Sequence, residues 1–267
     1  MQPIDVASAG RPSTSCLGVD WKVVDGRPAP PMTKAPIQLA AEACGCGACA
    51  GGRLSRRRLF AGAAGTLLAG LPISARAQTN LTPAQAFARL MEGNQRFVGG
   101  RLTYDDLARL RQSTAEHQEP FAAVLSCSDS RVPVELVFDQ SIGQIFVARV
   151  AGNIADADVI ASLEYGAAVL GTKVILVLGH ANCGAVKAAI QGKAAPGRIS
   201  ALYTAIYPAV EQAGPDLVAV IRDNARRQAR LVRDSSPVIS ELAKKGQIEV
   251  TAGYYDLASG RVSPIAL

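Results

Sequence analysis

The chain has 267 residues, 49% of them hydrophobic and 19% charged, which suits one soluble globular domain with an added segment. The formal charge of +6 would fit a nucleic-acid or membrane partner, but it is unevenly spread. Residues 1–77 carry nine Lys and Arg against four Asp and Glu, and residues 78–267 carry 19 against 18, so the main domain is nearly neutral and offers nucleic acid no basic face.

Residues 1–54 are rich in proline (Pro28, Pro30, Pro31, Pro36) and lack periodic apolar spacing, so they are expected to be a disordered extension. Cys44, Cys46 and Cys49 lie close together there. Glycine spacers and the lack of a nearby His make them a poor preformed metal site, and a long leader or an unused upstream start is the simpler reading. Residues 55–77 form a secretory signal: a basic start at Arg56-Arg57-Arg58, an apolar run from Ala61 to Ile73, and an Ala75-Arg76-Ala77 cleavage pattern. The run is roughly 13 residues, against about 20 for a membrane span. The paired arginines before Leu59-Phe60 resemble a twin-arginine signal; a plain secretory signal and a retained anchor are the alternatives. Cleavage after Ala77 would leave residues 78–267 as a periplasmic or secreted domain without a stable membrane span.

From Pro83 onward helical and strand-like segments alternate. Thr82 caps a helix over 83–97, and a second helix is expected over 104–112, together a helical arm. Phe121–Ser126, Ile145–Val150 and Lys173–Gly179 are short apolar runs, as buried parallel strands are. Helices are expected over 158–170 and 183–191, then a longer amphipathic one over 217–232 with Arg222, Arg226, Arg227, Arg230 and Arg233 on a solvated face. Gln247–Tyr254 is a late strand. The pattern predicts an α/β fold, a mainly parallel sheet core flanked by helices. In such sheets ligands sit beyond the carboxyl ends of the strands.

Two of those ends carry chemistry. The first strand ends in Cys127-Ser128-Asp129-Ser130-Arg131, and the third in Gly179-His180-Ala181-Asn182-Cys183. Catalytic zinc takes three protein ligands from thiolates and imidazoles and keeps its fourth position open, and Cys127, His180 and Cys183 supply that set. The competing reading is a Cys127–Cys183 disulfide, since export implies an oxidising compartment. Asp129, Arg131 and His180 beside the cysteines favour the metal. For His180 the rival is a satisfied core histidine; the preceding glycine lets the backbone turn closely and favours a ligand. Asp129 and Arg131 stand on alternate positions, so both can point one way, and an Asp beside an Arg keeps its charge. Asp129 then either accepts a hydrogen bond from water at the fourth position or occupies that position itself, and Arg131 decides between the two by holding it back. His117, in a polar stretch, reads as a surface residue. Two thiolates cancel the charge of Zn²⁺, so water is polarised less than in a three-histidine site, where its pKa is about 7. Activity should therefore rise toward alkaline pH.

These motifs resemble the β-class carbonic anhydrases. Cys127-Ser128-Asp129-Ser130-Arg131-Val132-Pro133 is similar to that family's first motif, His180-Ala181-Asn182-Cys183-Gly184 to its second, and Ala148-Arg149-Val150-Ala151-Gly152-Asn153 to a segment between them. The resemblance spans about residues 83–256. It implies reversible hydration of carbon dioxide to bicarbonate, one Zn²⁺ per subunit on Cys127, His180 and Cys183, an Asp129–Arg131 catalytic dyad, and a homodimer or tetramer with the active site near the subunit interface. Gln140 is the candidate for binding substrate, and Phe138, Val147 and Val150 for an apolar pocket. Members shut by a bicarbonate effector carry Trp three residues before the first cysteine; Val124 stands there, so the resemblance leans to the open kind. Carbonyl sulfide or carbon disulfide hydrolysis at the same site is the alternative activity. A non-catalytic zinc or redox protein is a third reading, and it leaves Asp129 and Arg131 without a purpose.

Overall fold

The computed structural model describes residues 79–103 and 105–267; the expected extension over 1–54 and signal over 55–77 lie outside the described residues. Five strands form one sheet: β1 (Ala122–Ser126), β2 (Ile145–Arg149), β3 (Val174–His180), β4 (Glu249–Tyr255) and β5 (Val262–Ile265). Their order is β2-β1-β3-β4-β5. The first four run parallel, and β5 is antiparallel to β4. The core strands β1 and β3 are buried at every position, as the uninterrupted apolar runs predict.

Alternate residues face opposite layers. Ala123, Leu125, Ile175 and Val177 pack with Leu163 of α4 (Ala157–Glu164), Ala225, Ala229 and Val232 of α7 (Leu217–Ser235), and Ile239 of α8 (Pro237–Lys244). Val124, Leu176 and Leu178 face Ala86 and Leu90 of α1 (Pro83–Val98) and Val134 and Val137 of α3 (Val134–Val137). Beyond the carboxyl ends of the strands a third apolar cluster joins Cys127 and Cys183 to α5 (Gly184–Gln191), α6 (Ala201–Ala213) and α7.

Helix α1 starts where Thr82 and Gln85 cap each other reciprocally, with Pro83 in the first turn. Its buried Asn94 donates to the carbonyls of Val137 (3.0 Å) and Gly260 (2.8 Å) and accepts from Val262 N–H (2.9 Å). The second arm helix, α2 (Leu107–Ser113), is capped by Asp106 and has no buried residue among the described residues. The helix expected over 158–170 is α4 followed by a π-turn over Tyr165–Val169, where Gly166 lies against the Phe146 ring. Among the helices and strands, α3, α6, α8 and β5 escaped the sequence reading. Pro208 sits inside α6 and masks its period, while β5 is only four residues long and contains Pro264. On α7 the arginine face is more tied down than a solvated run implies: Arg226 and Arg227 both pair with Asp223, and Arg222 lies over the Tyr254 ring. Among the described residues no helix is long and apolar enough to cross a membrane.

Candidate metal centre

The parallel register puts the ends of β1 and β3 side by side, with Ser126 opposite Leu178. The chain leaves β1 at Cys127. Two residues beyond Leu178, β3 ends at His180, and Ala181 N–H bonds to Tyr255 O (2.8 Å) to hold that end against β4. Asn182 takes a positive φ of 57°, which turns the chain so that Cys183 becomes the N-cap of α5. The Sγ atoms of Cys127 and Cys183 and one ring nitrogen of His180 lie within 4.8 Å of one another, and all three residues are buried. One ion with bonds of about 2.0–2.3 Å bridges such a spacing with small side-chain adjustments.

His180 carries the clearest sign of a ligand. Its Nδ1 sits 2.9 Å from Ala181 O, which assigns the proton to Nδ1 and leaves Nε2 with a lone pair. Nε2 is buried and has no hydrogen-bond partner. A buried acceptor left unmatched costs free energy unless something binds it, and beside two thiols the something that fits is a soft or borderline cation such as zinc.

The two thiols share their proton strongly. The hydrogen bond from Cys183 lowers the Cys127 pKa well below the ordinary thiol value against the opposing effect of burial, and the adjacent His180 ring and then the N–H groups of Gly152 and Asp129 help. The same bond and burial push Cys183 up. Cys183 faces the N-terminus of α5, whose positive end favours its thiolate once a cation displaces the shared proton.

Asp129 and Arg131 form a forked pair. Arg131 Nε donates to Oδ1 (2.9 Å), Nη2 to Oδ2 (2.8 Å), and the Arg131 backbone N–H also to Oδ1 (2.9 Å). The guanidinium holds the Asp129 carboxyl far below the ordinary carboxylate range, with help from the backbone bond, so Asp129 is ionised. Its Oδ2 lies 3.9 Å from His180 Nε2. The acceptor thus stands at the edge of the cluster without being part of it.

The remaining expectations divide. Val150 packs against the cluster that contains Cys127 and Cys183. Phe138 and Val147 belong to the apolar layer facing α1 and α3. Gln140 is buried, donates to Phe138 O (2.9 Å), and lines a cavity of about 190 Å³ with Leu102, Thr103, Glu135 and Asp139; none of the motif residues lines that cavity. His117 is exposed, as expected. Val124 is fully buried in β1.

Four supporting residues went unassigned from sequence. Arg149, at the end of β2, donates from Nε to Cys127 O (3.1 Å) and from Nη2 to Asp129 O (2.6 Å), clamping the turn between ligand and acid. Gly152 N–H donates to Cys127 Sγ at 3.3 Å. Asn224 and Gln228 hold the turn that contains Gly152. The available signal was two amides one turn apart inside the apolar stripe of a helix.

A parallel sheet that delivers two thiols, an imidazole with a free lone pair and an ionised carboxylate to one edge defines a candidate metal centre on an α/β fold. The comparisons place that fold in a family. Residues 122–262 match the family model described as carbonic anhydrase. The Mycobacterium tuberculosis protein named Carbonic anhydrase 2 is 36% identical over 194 residues, covering 68% of this chain and 92% of that one. Among solved structures, a tetrameric β-carbonic anhydrase from Sordaria macrospora shares the fold at a TM-score of 0.56 and 21% identity, over 68% of this chain and 97% of that one. A Coccomyxa β-carbonic anhydrase aligns at a TM-score of 0.52 and 26% identity, over 67% and 85%. The chain belongs to the carbonic anhydrase family, in its β class.

Proposed function

We propose that this chain catalyses the reversible hydration of carbon dioxide to bicarbonate and a proton, with one zinc ion held by Cys127, His180 and Cys183. The observation that carries the reading is the buried, unpartnered Nε2 of His180, set between two thiols and 3.9 Å from an ionised Asp129. Bound there, zinc would supply the Lewis acidity that makes water a competent nucleophile near neutral pH.

The chain's own residues then have separable tasks. Asp129 cannot donate a proton, because Arg131 keeps it ionised; it can only accept, and so it orients a water molecule at the open side of the cluster. Arg131 occupies both carboxylate oxygens and restrains Asp129 from swinging onto the cation. Arg149 fixes the backbone between Cys127 and Asp129, so the acceptor keeps its distance from the ligands. Val150 contributes apolar wall for a linear, uncharged substrate. Gln140 lines a separate cavity in this chain, so its contact with substrate depends on the homodimer or tetramer that the family resemblance implies. Export by the twin-arginine-type signal over 55–77 would let the domain fold and load its metal before it meets an oxidising compartment.

The test is stopped-flow carbon dioxide hydration by residues 78–267, with zinc content measured on the same sample. Rapid hydration with one zinc per chain is the expected result. Zinc without hydration, together with release of hydrogen sulfide from carbonyl sulfide, would move the activity to the alternative substrate class. Absence of bound zinc would remove the reading altogether.

A further inference from the structure

Helix α7 presents an apolar stripe to the sheet and the strand ends: Val220, Ile221, Ala225, Ala229 and Val232 are buried. Two amides interrupt it. Asn224 and Gln228 are 0% and 3% exposed and sit one helical turn apart. Burying a carboxamide is unfavourable unless its donors and acceptors are matched, and these are matched to particular places. Gln228 Nε2 donates to Asn224 Oδ1 (3.2 Å) and to Ala205 O (3.0 Å). Gln228 Oε1 accepts from Ala155 N–H (2.9 Å), and Asn224 Nδ2 donates to Gly152 O (2.9 Å). The pair therefore grips both ends of the turn from Gly152 to Ala155.

That turn needs gripping. Gly152 and Asn153 have φ values of +79° and +46°, so two successive residues lie in the left-handed region. Gly152 has a second partner: while its carbonyl accepts from Asn224, its N–H donates to Cys127 Sγ at 3.3 Å. One residue thus links the amide pair on α7 to the sulfur of a proposed zinc ligand. A side chain at this position would also collide with Ile206 Cδ1, at 2.9 Å from the added carbon, so the backbone itself makes the approach.

We infer that Asn224 and Gln228 are positioning residues that aim the Gly152 N–H at Cys127 Sγ and thereby set the donor strength of that sulfur toward the metal. The inference rests on Cys127 being a zinc ligand. A hydrogen bond to a coordinating thiolate withdraws electron density from it and fixes its direction, and loss of such outer contacts typically weakens metal binding by about 10–100-fold.

The experiment compares Asn224→Asp with Asn94→Asp in the full domain. Both changes replace a buried amide by a carboxylate of the same size, and both remove a donor to backbone carbonyls, but Asn94 serves α1, α3 and the β5 end rather than the sulfur. Two readouts are taken: zinc affinity by competition with a chromophoric chelator, and the thiolate-to-cobalt charge-transfer band after cobalt(II) substitution. Asn224→Asp should lose about tenfold or more in affinity and shift the band, whereas Asn94→Asp should lower Tm and change neither. Asn224→Ser gives the same comparison if the carboxylate prevents folding. Wild-type affinity and an unmoved band in the Asn224 variants, with only Tm reduced, would overturn the inference. A wild-type domain that binds no zinc and shows no thiolate band would instead overturn the ligand assignment on which it rests.

Discussion

Gly179→Ala probes how closely α7 lies on β3, one residue before His180. An added Cβ would stand 3.0 Å from Ile221 Cγ2, 3.2 Å from Ile221 O and 3.4 Å from Ala225 Cβ. The carbonyl cannot rotate away without moving the helix, and Ile221 is β-branched and stiff. Overpacking of this kind costs typically about 1–3 kcal/mol. Taking about 2 kcal/mol, with roughly 2–4 °C per kcal/mol for a domain of this size, Tm should fall by about 4–8 °C. Thermal unfolding followed by circular dichroism reads the shift. Gly184→Ala is the matched control: nothing lies within 4 Å of its added carbon, and it opens helix α5, where alanine is the better helix former. Its Tm should equal or slightly exceed that of the parent. A Gly179→Ala protein as stable as the parent would refute the claim that glycine is there for close approach.

Asp129→Asn keeps the side-chain size and removes the ionised acceptor; kcat for carbon dioxide hydration should drop by about 10²-fold or more with zinc retained, and full turnover would exclude Asp129 from the reaction. Cys183→Ser should lose bound zinc, measured by metal analysis of the purified protein, and a variant with full zinc would break the ligand assignment. Hydration should rise between pH 7 and pH 9, and Asp129 cannot be the group responsible. Its folded pKa is depressed, so its contribution to stability is present above the ordinary carboxylate pKa of about 3.9 and is lost only as pH falls through the still lower folded value. The difference in Tm between the parent and Asp129→Asn should therefore stay constant from pH 6 to pH 8, and a difference that changes across that window would contradict the assigned ionisation.

The sheet core was legible because β1 and β3 are buried on both faces, so their apolar runs are uninterrupted. The motif residues were legible because two strand ends deliver them within a few residues of local sequence. What escaped depends on distance in sequence. Gly152 meets Cys127 from 25 residues away, and Asn224 meets Gly152 from 72. No period or spacing encodes such pairings. The glycine before His180 shows the same limit. Its presence suggested a tight backbone turn, yet Gly179 is ordinary strand, and the turn falls on Asn182. The glycine is required by α7, which lies about forty residues later in the chain.

Asn94 has a consequence for how the domain is made. Its three partners lie 43, 166 and 168 residues further along. Val137 follows α1 closely, but the other two partners of the buried amide, Gly260 and Val262, stand just before and at the start of β5. Contacts so far apart in sequence form late and slowly. A chain cut before Gly260 would leave that amide with the Val137 carbonyl alone, so β5 and the turn before it complete the burial of α1.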